Sequence, residues 1–437
     1  MPVEKQITIN PGGHQLTNVH CWSHDGRFLV YDVRSGRDGS VFDGTRIERV
    51  DVETGIVELL YESTDGACCG VVTCSPVDER IVFIHGPENP DDDWSYSFSH
   101  RRGTILFPDG RLENLDACCV APPLQSGALR GGSHVHVFDA DGRWVSFTYN
   151  DHLLDRLDST SSAPAHDPDQ RNVGVGVPLR AVSVNRNHPR NHDGSHYSAL
   201  VTRTVSNPEP ESDEIRKAYE EGWVGNNGYL KPDGTHQRRA LAFLGDVALG
   251  ETGTAAEVFV VDLPENDEEM AVAGQDPLEG TTTHRPAPPR GVIQRRLTFT
   301  TDRRYPGVQG PRHWLRSSPD GSRIAFLMRD DNGVVQIRTI SPNGGKPAPW
   351  TRNSSDVASA FSWSPEGESI AYVLDNSIVV TKSDGSTRCL TPRSADAETP
   401  LPYAVVFSPD GKKIAFMRNV AHDDGNRYNQ IFVVSTD

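Results

Sequence analysis

GGSHVHVFDADGRWVSFTYNDH, residues 131–152, is the stretch whose reading decides the fold. Two alternating apolar runs flank an Asp-Gly pair, the strongest short-range signal for a β-hairpin. The first predicted strand carries His134 and His136 two positions apart. The second runs out into Asn150, Asp151 and His152.

The pattern recurs along the chain. WSHDGRFLVYDVR (22–34), CSPVDERIVFIHG (74–86) and FDADGRWVSFTYND (138–151) share it. RSSPDGSRIAFLMRD (316–330), WSPEGESIAYVLDN (363–376) and FSPDGKKIAFMRN (407–419) repeat it. Most copies continue into a third strand, such as TRIERVDVETG (45–55), and a fourth often closes on leucine-threonine, as in RRLTFT (295–300). Four short antiparallel strands in about 45 residues is the pattern of a β-propeller blade.

This reading predicts an all-β fold, a single seven-bladed β-propeller over residues 1–437. The blades fall near 14–62, 63–115, 116–187, 188–300, 301–350, 351–392 and 393–437, with 5–10 supplying the missing outer strand of the last. Blade four takes its strands from 194–205, 238–247, 256–264 and 295–300, with 205–237 interrupting its first connection and a short helix over 212–221. The polar, proline-rich 265–292 reads as an excursion between strands.

The formal net charge is −17, which argues against a nucleic-acid partner, since that needs a basic footprint. Local arginine clusters can still hold an anion against the overall sign. No apolar run approaches the roughly 18 residues of a membrane span, and MPVEKQITINPGGHQLTN has no leader-like apolar core. The seven cysteines, with adjacent pairs at Cys68-Cys69 and Cys118-Cys119, fit a reducing compartment better than a disulfide framework. The expectation is a cytoplasmic protein with no membrane partner. GRDGSVFDG (36–44) lacks phosphate-loop spacing, so no nucleotide cofactor is expected.

The LT…WSPDG…IAF repeat resembles that of TolB-like propellers over essentially the whole chain. The central run from residue 131 through RNVGVGVP (171–178), GSHY (194–197) and SDEIRKAYEEGWVGN (212–226) is similar to a bacterial group, the YidR-like propellers. Oligogalacturonate lyases and some ulvan lyases use the same architecture to cleave uronate-containing sugars by β-elimination. The ulvan lyase resemblance implies paired histidines, a tyrosine and an arginine. His134, His152 and Tyr197 stand at the matching positions, and Arg216 is preferred to Arg203 or Arg312 for the arginine.

The long loops between second and third strands, 34–44, 85–103 and 150–172, belong to blades one to three and fall on one face, which marks the binding side. Aligned on their turns, His134, His313, Tyr403 and Asn18 each lie eight residues before the glycine. The second Gly-Ser-His puts His196 beside this ring, and His20 and His136 lie one same-face step lower, about 6.5–7 Å away. Neutral imidazoles on neighbouring strands can hold one divalent transition metal, Mn or Zn, with His136, His196 and His313 as ligands. Alternatively, one histidine serves as general acid or base. Arg34, Arg37, Arg101, Arg102 and Arg312 are candidates for binding substrate carboxylates or sulfates. Trp94, Tyr96 and Trp223 are candidates for stacking on sugar rings. The expected function is a metal-assisted lyase acting on an anionic oligosaccharide. The alternative is a non-catalytic propeller with a protein or peptide partner on the same face.

Overall fold

The Asp-Gly turns close the hairpins that the repeat requires. In blade three Gly142 stands at φ +65, a conformation glycine adopts without a side-chain clash, and its N–H donates to Asp139 O at 2.9 Å. The flanking strands Gly131–Phe138 and Val145–Asp151 then pair antiparallel. The computed structural model describes residues 3–36, 39–160, 170–250, 253–312 and 314–437. Seven four-stranded sheets follow one another, each with strands in sequence order from the channel outward except at the closure. There, Glu4–Gln6 pairs with Arg427–Ser435, so the two ends of the chain share blade seven. Closing the ring in this way covers a sheet edge.

Aromatic side chains tie the inner strands together at the end near the hairpin turns. The indole N–H of Trp22 donates to Val406 O at 3.1 Å, that of Trp223 to Val137 O at 3.0 Å, and that of Trp363 to Arg316 O at 2.9 Å. In each case the acceptor belongs to the preceding blade. The rings of Trp22 and Trp363 are buried and that of Trp223 half-buried, each with its polar atom satisfied.

Blade four departs from the sequence expectation. Tyr197–Leu200 pairs with Arg171–Val177 as the outermost strand of blade three. The inner strand of blade four is Ala218–Trp223, where the sequence pattern predicts a helix. Its glutamates favour helix only weakly, and pairing with Arg239–Leu249 overrides that preference. The boundary between blades three and four therefore lies within 201–217, not at 187/188. The interrupted first connection is 224–238, which holds a small hairpin of Tyr229–Leu230 with His236–Gln237.

The 265–292 excursion leaves between Gly253–Leu263 and Gln294–Arg296 and folds back on blade three. Trp144 Nε1 donates to Asp267 at 3.0 Å and Arg130 Nη2 to His284 O at 2.8 Å. No helix among the described residues is long and apolar enough to cross a membrane.

Candidate functional site

The first residue of the inner strand in blade three, Gly131, pairs with the last of the second strand, Asp151. Inner-strand starts and second-to-third loops thus share one face. Here the loop after Asp151 becomes an α-helix, His152–Thr160, capped where Asp151 Oδ1 accepts the Leu154 N–H at 3.0 Å. The 86–101 loop settles directly over the inner strand because Gly132 has no side chain, as a Cβ there would stand 2.2 Å from Phe98 O.

A bulge interrupts three neighbouring inner strands at one level. Pairing skips from Gly70 to Thr73 in blade two, from His134 to Val137 in blade three and from Tyr219 to Gly222 in blade four. Val71, Val135 and Glu220 take the positive φ there, +53, +57 and +55. The extra residue breaks the two-residue alternation. His136 therefore does not share a face with His134. It turns toward blade two, where a Cβ on Gly103 would lie 2.7 Å from its Nε2.

The same register makes Tyr219, Glu220 and Glu221 the blade-four counterparts of His134, Val135 and His136. Glu221 points back at blade three, with its Oε2 accepting from Thr148 Oγ1 at 2.6 Å. Glu220 lies beside Arg171, Lys217, Arg312 and Arg316, all close enough to favour its charged form. Burial outweighs them and pushes its carboxyl up to about 7. Burial pushes Glu221 up to about 8.

On this mouth the protein is cationic despite its acidity. Burial first, then Arg101, Arg171 and Lys217, hold the His134 imidazole well below its ordinary pKa and so neutral. Phe98, 54% exposed, lies 5.0 Å from the Arg101 guanidinium and 5.3 Å from that of Arg171. Across the channel Arg312 lies over Trp314 at 4.8 Å and Tyr403 at 5.7 Å. Several buried polar atoms at this level have no hydrogen-bond partner in the protein. They are Arg101 Nε, His134 Nδ1, both amide atoms of Asn150 and Glu220 Oε2. Each such atom costs roughly 1–3 kcal/mol unless something else satisfies it.

The other predicted site residues are engaged with partners of their own or lie away from this cluster. Arg34 is paired with Asp32 at 2.7 Å, and Arg102 is tied to Glu88 and to Asn114. His152 hydrogen-bonds His100 at 2.9 Å beneath Trp94, which stacks on His100 with centroids 3.8 Å apart. Burial, then His100, pushes His152 down to about 3. Trp94 is thus loop packing, Tyr96 stacks on Phe42 at 4.9 Å, and Trp223 is an inner-strand tie. Tyr197 is fully buried on the outer strand of blade three and shares a 2.6 Å hydrogen bond with Ser126. Arg216 precedes the inner strand of blade four, with its backbone N–H on Asp246 O, while Arg203 reaches outward to Asp276. Arg37 lies outside the described residues.

Of the predicted metal ligands, two lie within the described residues, and each is engaged by a serine hydroxyl. His136 is wholly buried, and its Nε2 meets Ser133 Oγ at 2.9 Å, while that hydroxyl donates to Asp116 at 2.9 Å. His196 precedes the outer strand of blade three, and its Nδ1 is engaged by Ser195. His313 lies outside the described residues. Among the described residues no group of three or more His, Cys, Asp or Glu could hold a metal.

Toward the hairpin-turn end the channel widens into a cavity of about 640 Å³. Asn18, His20, Glu221 and Arg316 line it, together with Trp22 and Trp363. Asn18 contributes to the wall through structure, with its carbonyl accepting from Arg316 Nη2 at 3.0 Å.

Sequence reasoning missed Phe98, Arg171, Lys217, Glu220 and Glu221. A usable signal was Trp223, which aligns with Trp22 and Trp363 as the aromatic residue ending an inner strand. Counting back from it places Glu220 and Glu221 in the channel wall.

A closed ring of seven four-stranded antiparallel blades defines a seven-bladed β-propeller. The chain belongs to the family of the uncharacterised protein YidR of Escherichia coli (strain K12), to which it is 49% identical over 435 residues, 99% of this chain and 97% of that one. Residues 68–192 match the family described as Protein of unknown function (DUF3748). An oligogalacturonate lyase in complex with manganese is similar in fold, with a TM-score of 0.54 at 11% identity over 99% of this chain and 92% of that one. An oligogalacturonate lyase from Vibrio parahaemolyticus gives 0.50 at 12% identity, over 99% and 93%.

Proposed function

We propose that the protein binds a uronate-containing oligosaccharide at the cationic mouth and cleaves it by β-elimination. The observation that carries this reading is the group of unpartnered buried polar atoms on Arg101, His134, Asn150 and Glu220, set among cations in a chain of net charge −17. Such atoms need an occupant with both charge and hydroxyl groups. A uronate offers a carboxylate to the guanidinium of Arg101 or Arg171, hydroxyls to Asn150 and His134, and a ring face to Phe98. Neutralising the carboxylate acidifies the hydrogen on the adjoining carbon, which is what elimination requires. The fold shared with oligogalacturonate lyases supports a propeller resembling lyases.

The test is incubation of untagged protein with short oligomers of galacturonate and of glucuronate, following the ultraviolet absorbance of unsaturated uronate. Release of that product by the wild type, and its loss in Arg101→Ala, is expected. Absence of product and of calorimetric binding with every oligomer would sink the reading.

A further inference from the structure

We propose that Glu220 is the base that takes the proton in this elimination. The assignment rests on the uronate lyase reading of the mouth.

The geometry isolates Glu220 among its counterparts. Blades two, three and four share one inner-strand bulge, whose left-handed residue is Val71, Val135 or Glu220. A bulge re-aims a side chain and is common beside active sites. A non-glycine residue at positive φ stores strain that the surrounding sheet must hold. Where blades two and three spend this position on valine, blade four puts a carboxylate there. Its Oε2 is buried with no hydrogen-bond partner in the protein.

The neighbours fit the role. Arg171 comes from blade three, Lys217 from blade four, and Arg312 and Arg316 from blade five. These cations both attract the uronate and stabilise the negative charge that builds on its carboxylate as the proton leaves. The adjacent carboxyl, Glu221, is held by Thr148 and is itself shifted up by burial, so its charge competes little near neutrality. The nearby His134 is held in its neutral form. With its carboxyl pushed up to about 7, Glu220 is basic enough to accept a proton, and about half of it is ionised near neutral pH.

The step balances without an oxidant. Glu220 takes the hydrogen, as a proton, from the carbon beside the uronate carboxylate. The electron pair left behind forms a carbon–carbon double bond to the next ring carbon. The bond from that carbon to the glycosidic oxygen breaks, its electrons stay on the oxygen, and water supplies the proton that makes the leaving hydroxyl. Glu220 then returns its proton to solvent.

The experiment compares wild type, Glu220→Gln and Glu220→Asp as full-length proteins on galacturonate and glucuronate trimers. Product is read by ultraviolet absorbance, binding by calorimetry and folding by thermal melting. Glu220→Gln is expected to lower kcat by about 100-fold or more while trimer affinity changes only a few-fold. Glu220→Asp is expected to retain part of the rate, and the wild-type rate to rise with pH on a limb that Glu220→Gln lacks. A folded Glu220→Gln that turns over at the wild-type rate overturns the assignment of the base and leaves the lyase reading intact. A wild type that binds trimer and releases no unsaturated product overturns both.

Discussion

Glu220 of blade four and Val135 of blade three occupy the same step of the repeat, both on a bulge and at φ +55 and +57. One backbone device thus serves two purposes. In blade three it turns His136 aside toward blade two, and in blade four it sets the Glu220 carboxylate among Arg171, Lys217, Arg312 and Arg316 while Glu221 reaches Thr148 of blade three.

Arginines on the binding face fall into two groups that substitution separates. Arg101→Ala and Arg171→Ala each lower oligouronate affinity by about ten-fold or more, the cost of a lost charge-assisted contact. Raising salt weakens wild-type binding in the same titrations. Arg34→Ala leaves affinity nearly unchanged and instead costs about 3 kcal/mol of stability, because it strands the buried Asp32 carboxylate. Calorimetry and thermal melting read the two effects.

Phe98→Ala weakens sugar binding several-fold with little change in melting temperature. The ring is 54% exposed and flanked by Arg101 and Arg171, so it adds little to the core and, on the proposed reading, offers its face to the sugar. Equal losses of stability and affinity would contradict this role.

His152→Ala raises KM more than it lowers kcat. Its imidazole braces His100 under Trp94 in the loop that also carries Phe98 and Arg101, so its removal loosens the binding loop. The expected stability cost is roughly 2 kcal/mol.

Tyr197→Phe leaves turnover at the wild-type level and costs about 1 kcal/mol through the lost hydrogen bond to Ser126. A large loss of kcat would place the outer strand of blade three in the reaction after all.

Stability should respond to pH with opposite signs from two sets of groups. Burial raises Glu221 to about 8, so its contribution is complete below the ordinary glutamate pKa and is lost as pH rises through 8. Glu221→Gln should therefore melt a few degrees above the wild type at pH 9, and the difference should shrink at pH 5. Burial lowers His136 to about 3 and His192 to about 4, so their contribution is present above the ordinary histidine pKa and fades as pH falls below it. Melting curves across that range read both limbs.

Much of the fold was legible because an Asp-Gly turn between alternating strands is a local signal, copied down the chain at nearly constant spacing. The blade-four error came from its one long hairpin connection, 224–238, which separates Trp223 from its partner strand and hides the turn. The site was less legible. Arg101, Arg312 and His134 were identified and do lie at the mouth, whereas Arg34 and Arg102 sit on the same face with their charges already paired. Sequence shows that an arginine is present but not which carboxylate it meets.

The sequence by itself determined the blade repeat, the closure between the two ends of the chain and the loop-rich face, because each depends on hydrogen bonding and side-chain alternation over a few neighbouring residues. Only the tertiary structure decided which side chains reach the channel. That outcome depends on bulges and on contacts between blades, and one extra residue in a strand sends every following side chain to the other face. His136 faces blade two, and Glu220 stands among cations of three blades, for that reason.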